Sequence, residues 1–454
     1  MFYIVESESQ LGRLAELGKE VDCYVEVVTT NDYFHPALSS VVAVYIRPLE
    51  IKTNSETGED YYASGYIVPV DHNEGLCVSL DRVRELLQSF RKIYVLDRKA
   101  TLYFVNHKNL VDLSLIYCMN TYEKLEWFVR EKTCNWFYNR YGGRKDLNQI
   151  IPLTKIYEKC EATFDQVKKV LELPEPDGFD FYNRFVTSVY YLVEREGIRV
   201  DTHEFVERFK PTNPDFSIRG ETVYTRYNLY NTTGRPTNSF NGVNFLAIPK
   251  GTEFRRCFKP KNSKFVQMDF DGYHVRLVSN LIGYKIPTDI KAHMYLAKQY
   301  FSKEEISPEE YKKAKQTNFQ SIYGAIPDEY KHLDFFVKLK AFMDELWERF
   351  CKEGKVYVAP PDIKAFTTKL PEMRETKLMN YLIQATETVR NTGLLYKLAR
   401  LLQSYKTRVL LVTYDSVLID WDEKEGTEIL SKIQKILEEG KFPVSVDYSM
   451  DLNF

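Results

Sequence analysis

The stretch Gln267–Arg276, QMDFDGYHVR, decides how the rest of the chain is read. It follows KFV and precedes the mostly apolar LVSNLIG, so its first half reads as a strand. A strand alternates its faces, so Asp269, Asp271 and Tyr273 share one face if the whole stretch is extended. Gly272 gives the chain a place to turn, which would end that alternation. Two carboxylates this close repel each other unless a cation lies beside them. The stretch is therefore a candidate metal site, and the question is which acid holds the metal.

Composition sets wide bounds. The 454 residues suggest two to four domains, and 44% apolar with 28% charged residues is ordinary for a soluble protein. A net charge of -2 neither favours nor excludes nucleic acid, because a basic groove can coexist with acidic outer faces. MFYIVESESQ lacks the basic and apolar regions of a signal peptide, and no apolar run reaches membrane-spanning length. Seven cysteines without metal-ligand pairing fit free thiols in a reducing compartment.

Along the first 150 residues, short apolar strands (VVAVYIRPL, KIYVLD) alternate with helical patterns such as LDRVRELLQSF, an α/β order. LEWFVREKTCNWFYNRY reads as an aromatic amphipathic helix, a packing face before it is a ligand surface. PEPDG in the mid-170s marks a boundary. Helices follow over FYNRFVTSVYYLVEREG and DTHEFVERF, then a segment rich in Asn, Thr, Gly and Pro from Pro211 to Pro260. After the strand at Phe265 come a long helical region from about Pro308 through Gly354 and a helix from Arg374 to Tyr405. RVLLVTYDSVLIDW is a hairpin, and a helix and the strand FPVSVDYSM close the chain.

Two further features bear chemistry. Asp415 interrupts the apolar arms of the hairpin; it is either an ordinary turn residue or a buried acid that needs a cation shared with Asp269. Lys315, Phe319 and Tyr323 fall four apart on one helical stripe, with Gly324 next. Such a stripe neutralises a triphosphate and stacks a base, or it is a partly buried helix whose lysine reaches outward along its apolar stem.

Taken together, these motifs resemble the polymerase domain of family A DNA polymerases over roughly Phe181 to Phe454. DFDGYHVR resembles the first palm motif, KQTNFQSIYG the fingers helix, and TYDSVLID the second metal-binding motif. TTGRPTNSF…NFLAIP resembles the segment that probes the primer, and Asn380 and Gln384 match a helix feeding the second metal motif. REGIRVD and FPVSVDYSMDLNF resemble the start of the palm and the family's closing strand. The resemblance implies an α/β multidomain chain: a ribonuclease H-like, degenerate 3′–5′ exonuclease-like domain at 1–173, then a right-hand polymerase with a truncated thumb. Residues 174–290 would hold the reduced thumb and first part of the palm, 291–375 the fingers and 376–454 the second part of the palm.

The implied activity is template-directed, primer-dependent DNA synthesis by two-metal catalysis without proofreading. Asp269, the Phe270 carbonyl and Asp415 would hold two Mg2+ ions, with Mn2+ as a substitute. Lys315 would neutralise the triphosphate of the incoming nucleotide, with His293, Tyr311 and Lys312 near it. His274, Phe319, Tyr323 and Gly324 would meet the nucleotide, with Phe319 implying discrimination against dideoxynucleotides. Thr233, Arg235, Asn244, Asn380 and Gln384 would contact DNA, with Arg235 reading minor-groove acceptors. Primer–template DNA and dNTPs are the implied partners. The expected location is the cytoplasm, that of a bacterial host if a phage or plasmid encodes the chain.

The chain also departs from the family pattern. Tyr311 stands in place of an arginine, with Lys312 and Lys313 beside it, and His274 stands in place of the glutamate that excludes a 2′-hydroxyl. Tyr414 and Ser416 flank Asp415 in place of His and Glu, and Leu246 and Ala247 replace Gln and Asn. About thirty residues separate Asp201 from Thr232, too few for a long helical thumb, so a processivity or replisome partner is expected to supply the missing grip. In the first domain the exonuclease acids map onto Glu26, Val28, Thr101, Tyr157 and Glu161, with Asp22 and Asp97 as alternatives, leaving that site degraded. Two other readings stay open: a ribonucleotide-tolerant or RNA polymerase, and a non-catalytic primer–template-binding replication subunit.

Overall fold

The computed structural model describes residues 3–32, 34–125, 135–141, 144–209, 218–238, 243–245, 247–358 and 363–454. Most of the aromatic stretch near Trp127 lies outside them, and a helix is described at Asn135–Tyr141. Leu246 and residues 210–217 also lie outside the described residues.

Chain order and alternation build the first domain. Helix α1 (Glu8–Gly18) starts at a capping box in which Ser7 and Gln10 satisfy each other's backbone N–H groups. Strands β1 (Cys23–Thr29), β2 (Val41–Pro48) and β3 (Tyr66–Pro69) pair antiparallel. Helix α2 (Leu80–Gln88) then crosses to β4 (Ile93–Val95) and β5 (Leu110–Asp112), which run parallel to β1. The sheet order is β3-β2-β1-β4-β5. Cys23, Val25, Val44 and Ile46 face a core closed by Leu11 and Leu14 of α1 and Val83 and Leu87 of α2. Tyr24, Ala43 and Tyr45 face the other way, into a core that includes Ile156 and Phe164 of α3 (Leu153–Val167).

That second core continues past α3. It runs through Tyr182 and then Tyr190 and Val193 of α4 (Thr187–Glu194) into the palm. Between Asp201 and Thr232 the described residues hold one helix, Thr202–Phe209, and two-residue strands, so no long helical thumb is inserted among them.

Strand β6 (Lys264–Phe270) carries Asp269 at its end. The backbone then turns at Gly272, whose φ is 53°, and a Cβ there would lie 2.7 Å from that of Ala292. Tyr273 therefore does not share the Asp269 face; it opens α5 (Tyr273–Leu281). Helix α5 and α6 (Ala292–Phe301) lie beyond what the sequence pattern indicated. The long helical region expected from about Pro308 through Gly354 is two helices, α7 (Pro308–Tyr323) and α8 (Asp334–Glu353), parted by Gly324 and Pro327. Ser307 and Glu310 form a capping box at the start of α7, and Pro308 fills its first position.

Helix α9 (Glu375–Leu401) follows, then β7 (Arg408–Thr413), β8 (Ser416–Trp421), α10 (Glu428–Leu437) and β9 (Val444–Ser449). The palm sheet is antiparallel throughout, in the order β7-β8-β6-β9. Its apolar face is covered by Leu394 and Leu398 of α9 and Ile429 and Ile433 of α10. A separate core, with Phe335, Phe336 and Leu339 of α8 against Leu382 and Ile383 of α9, sets α7 over the sheet's end.

Candidate active site

Strand pairing joins the two acids that the sequence holds far apart. Asp269 lies opposite Ser416 in the β6–β8 register, and the Phe270 N–H donates to the Asp415 carbonyl at 2.8 Å. Among the described residues neither carboxylate has an ion-pair partner within 4 Å. Burial, and then the neighbouring Asp415 charge, push Asp269 up to about 6, against the pull of Lys250 and Lys315. Desolvation by its neighbours raises Asp415 although the residue itself is exposed, partly offset by its own backbone N–H, His274 and Arg235. The pair is thus a concentration of negative charge that the protein leaves uncompensated.

The turn carrying Asp415 is strained. Only Tyr414 and Asp415 separate β7 from β8, and Tyr414 has φ 55°, a left-handed value uncommon for a bulky residue. Two contacts hold it: Asn391 Nδ2 donates to the Tyr414 carbonyl at 3.0 Å, and the Arg235 guanidinium lies 3.7 Å from the centre of its ring. Ser416, where the family has a second acid, pairs its hydroxyl with Thr413 at 2.5 Å.

Asp271 has a different job from Asp269. Its Oδ2 accepts from Arg276 Nη2 at 2.8 Å and from the Ala292 N–H at 2.7 Å. Arg276 is buried and also donates to the carbonyls of Pro287 and Ile290. Asp271 is therefore neither a metal ligand nor a surface acid; it fixes the start of α6 to the end of the palm strand.

The α7 stripe faces this site. Phe319 and Tyr323 lie parallel, 6.3 Å apart at 9°, and His293 of α6 packs on Tyr311 and Phe319. Lys315 is close enough to lower both Asp269 and His293. Burial, then Lys315, pull His293 down to about 4, so it is neutral at physiological pH. Asn318 Nδ2 donates to its Nδ1 at 2.9 Å, which leaves the proton on Nε2. Lys312 is exposed at the same end, while Lys313 turns away, 3.7 Å from Glu329 and over the Phe301 ring. Of the two lysines weighed as substitutes for the missing arginine, Lys313 is thereby removed. Gly324 ends α7.

On the opposite side lies a groove of about 340 Å³ lined by Asn231, Thr233, Arg235, Gln384 and Tyr414. Thr233 donates to Gln384 at 3.1 Å and Gln384 to Asn380 at 2.8 Å. Asn244 stands apart from this set; its Oδ1 is buried and unpartnered. Glu387, Lys250 and Asp447 were not foreseen from sequence. Glu387, 1% exposed, accepts from Arg235 at 3.0 Å and from His274 Nε2 at 2.9 Å, and the Tyr323 hydroxyl donates to His274 Nδ1. Asp447 sits opposite Gln267 on β9, on the same sheet face as Asp269. Only the cross-strand pairing makes it visible.

Among the described residues, the acids that the sequence maps to the first domain make contacts within the protein. Glu161 pairs with Arg47 and accepts from Tyr45 at 2.5 Å. Glu26 is buried and raised by that burial, with Lys159 opposing. Tyr157 and Val28 belong to the core, and the Thr101 hydroxyl donates to the Asp97 carbonyl. Asp97 pairs with Arg226 at 3.1 Å, and Asp22 with Arg91 at 3.4 Å. Asp112, buried and pushed up to about 7 by desolvation and by Asp97, accepts from the Arg98 and Leu115 N–H groups and the Tyr230 hydroxyl.

No protein-family model matches this chain, and no curated protein matches it. Among solved structures, the POL domain of Pol1 from M. smegmatis, in complex with DNA primer-template and dNTP, superposes with a TM-score of 0.70 at 14% identity over 99% of both chains. No described helix is long and apolar enough to cross a membrane. At that identity the likeness establishes the fold: a multidomain α/β chain with the architecture of a family A DNA polymerase.

Proposed function

We propose that this chain is a template-directed, primer-dependent DNA polymerase without proofreading. The observation that carries the reading is the uncompensated pair Asp269–Asp415 at paired strand ends, faced by Lys315 of α7. The matched mycobacterial domain is in complex with primer-template and dNTP, and the same two ligands suit this site.

The residues fit magnesium. Asp269, half-buried, and Asp415, exposed at its turn, favour a hard cation, and among the described residues no group of three or more His, Cys, Asp or Glu is arranged to hold one. Asp269 and Asp415 with the Phe270 carbonyl would therefore form part of each shell, and substrate oxygens and water the rest. Bound there, two such ions lower the pKa of a primer 3′-hydroxyl and neutralise charge on the triphosphate. Lys315 adds a fixed positive charge on the triphosphate side, and His293 offers its Nε2–H as a neutral donor. Phe319 and Tyr323 give a flat apolar wall for the nucleotide, and the groove at Thr233, Arg235 and Gln384 receives the primer–template. The short thumb leaves fewer phosphate contacts, which is why a processivity partner belongs to the reading. The internally paired acids of the first domain support a structural role for it. The cytoplasm remains the proposed location.

Extension of a labelled primer with each nucleotide alone, with and without magnesium, tests this. The expected result is one template-complementary addition that requires the metal. No extension with any nucleotide, alongside intact primer–template binding, would replace the polymerase with a binding subunit. A primer that shortens would restore the nuclease. His274 favours one second reading, relaxed choice of sugar, and comparable use of ATP and dATP would establish it.

A further inference from the structure

Glu387 is a single buried carboxylate shared between two elements. Its Oε2 accepts from Arg235 Nη2 at 3.0 Å and from His274 Nε2 at 2.9 Å. Arg235 belongs to the groove at Thr233 and Gln384, while His274 holds the hydroxyl of Tyr323 at the end of α7. A chain of polar contacts therefore runs Tyr323–His274–Glu387–Arg235, and Arg235 continues it onto the strained Tyr414 beside Asp415. Arg235 is also incompletely satisfied: its Nε is buried with no hydrogen-bond partner among the described residues. An arginine held by half of its fork on a shared carboxylate is poised to exchange that partner for acceptors in the groove.

Resting on the polymerase reading, we propose that Glu387 is a positioning residue that couples the occupancy of the Arg235 groove to the placement of His274 and Tyr323 on the nucleotide side. While Arg235 occupies Glu387, His274 shares the carboxylate. When duplex acceptors draw Arg235 off, the whole carboxylate falls to His274, which is then held more firmly and fixes Tyr323 for the nucleotide. The two sides thus compete for one charge, and the competition gives opposite signs to substitutions at its two ends.

Glu387→Gln frees Arg235 from its counter-charge and loosens His274. It is expected to tighten primer–template binding about threefold, read by fluorescence anisotropy without nucleotide, while raising KM for the complementary dNTP about tenfold. Weakened duplex binding together with raised KM would mark Glu387 as merely structural and overturn the proposal, and so would unchanged duplex binding. His274→Gln leaves the carboxylate to Arg235 and is expected to weaken duplex binding about threefold; tighter binding or no change would overturn the proposal even if Glu387→Gln failed to fold. The anisotropy arm needs no turnover. A parent protein that binds duplex but extends no primer would therefore defeat the polymerase reading separately from this one.

Discussion

Both halves of the molecule set carboxylates beside a sheet, and they treat them in opposite ways. In the first domain several acids near the sheet meet cations of the protein: Glu161 meets Arg47, Asp97 meets Arg226 and Asp32 meets Lys159, while Asp112 is held by the Arg98 and Leu115 N–H groups and the Tyr230 hydroxyl. In the palm, Asp269 and Asp415 face each other with no ion-pair partner among the described residues. An acid with its own cation is a structural brace, whereas an acid pair without one at the open end of a sheet calls for a cation from solution. The difference separates a fold element from a site more sharply than the residue types do.

The largest expected effect breaks the palm side of that contrast. Asp415→Asn should lower primer extension by about 10³-fold or more, because it removes one of two carboxylates, while the apparent melting temperature holds or rises. A variant that still extends primers within tenfold of the parent would mean the metal is held elsewhere. The matching change on the other side is Glu194→Gln. Glu194 and Lys99 are 1% and 3% exposed and bridge α4 to the first domain, so removing one charge should cost about 3–5 kcal/mol of unfolding free energy in urea titrations. A loss under 1 kcal/mol would show that the brace is dispensable.

Smaller effects sharpen the same contrast. Lys315→Ala should reduce extension about 100-fold through weaker triphosphate charge neutralisation, while Lys313→Ala, turned toward Glu329, stays within about twofold. Equal losses would mean that the α7 stripe does not face the substrate. The pH profile follows from Asp269. Its folded pKa, near 6, lies above its ordinary value, so protonation favours the folded state, and the fold loses that contribution as pH rises from about 4 through 6. Activity runs the other way, falling about tenfold per pH unit below the midpoint at limiting magnesium. Added magnesium should move that midpoint to lower pH. A midpoint indifferent to metal concentration would detach Asp269 from the metal.

Much of the palm was legible because strand alternation and helix spacing are local. The hairpin around Asp415, the stripe Lys315–Phe319–Tyr323 and the closing strand all follow from periods of two and of about four. Helices α5 and α6 were not, because α5 starts within a stretch that reads as strand until Gly272 turns it. Glu387 was hidden for another reason. It is one acid in a helix that reads as ordinary, and its meaning comes from His274 and Arg235, each more than a hundred residues away. The same holds for Asp271, whose partner Arg276 is near in sequence but whose role needs the Ala292 N–H.

The apolar core that passes from Tyr24 and Phe164 through Tyr182 and Tyr190 to the palm sheet has a practical consequence. Cutting the chain at Pro174 would strip the palm of a wall and leave Tyr182, Val186 and Val189 facing water, while the charges of Lys99 and Glu194 would lose each other. The excised palm would be a sticky fragment rather than a minimal enzyme. A protein of this build is expected to melt as one piece, because one core and one ion pair cross the boundary.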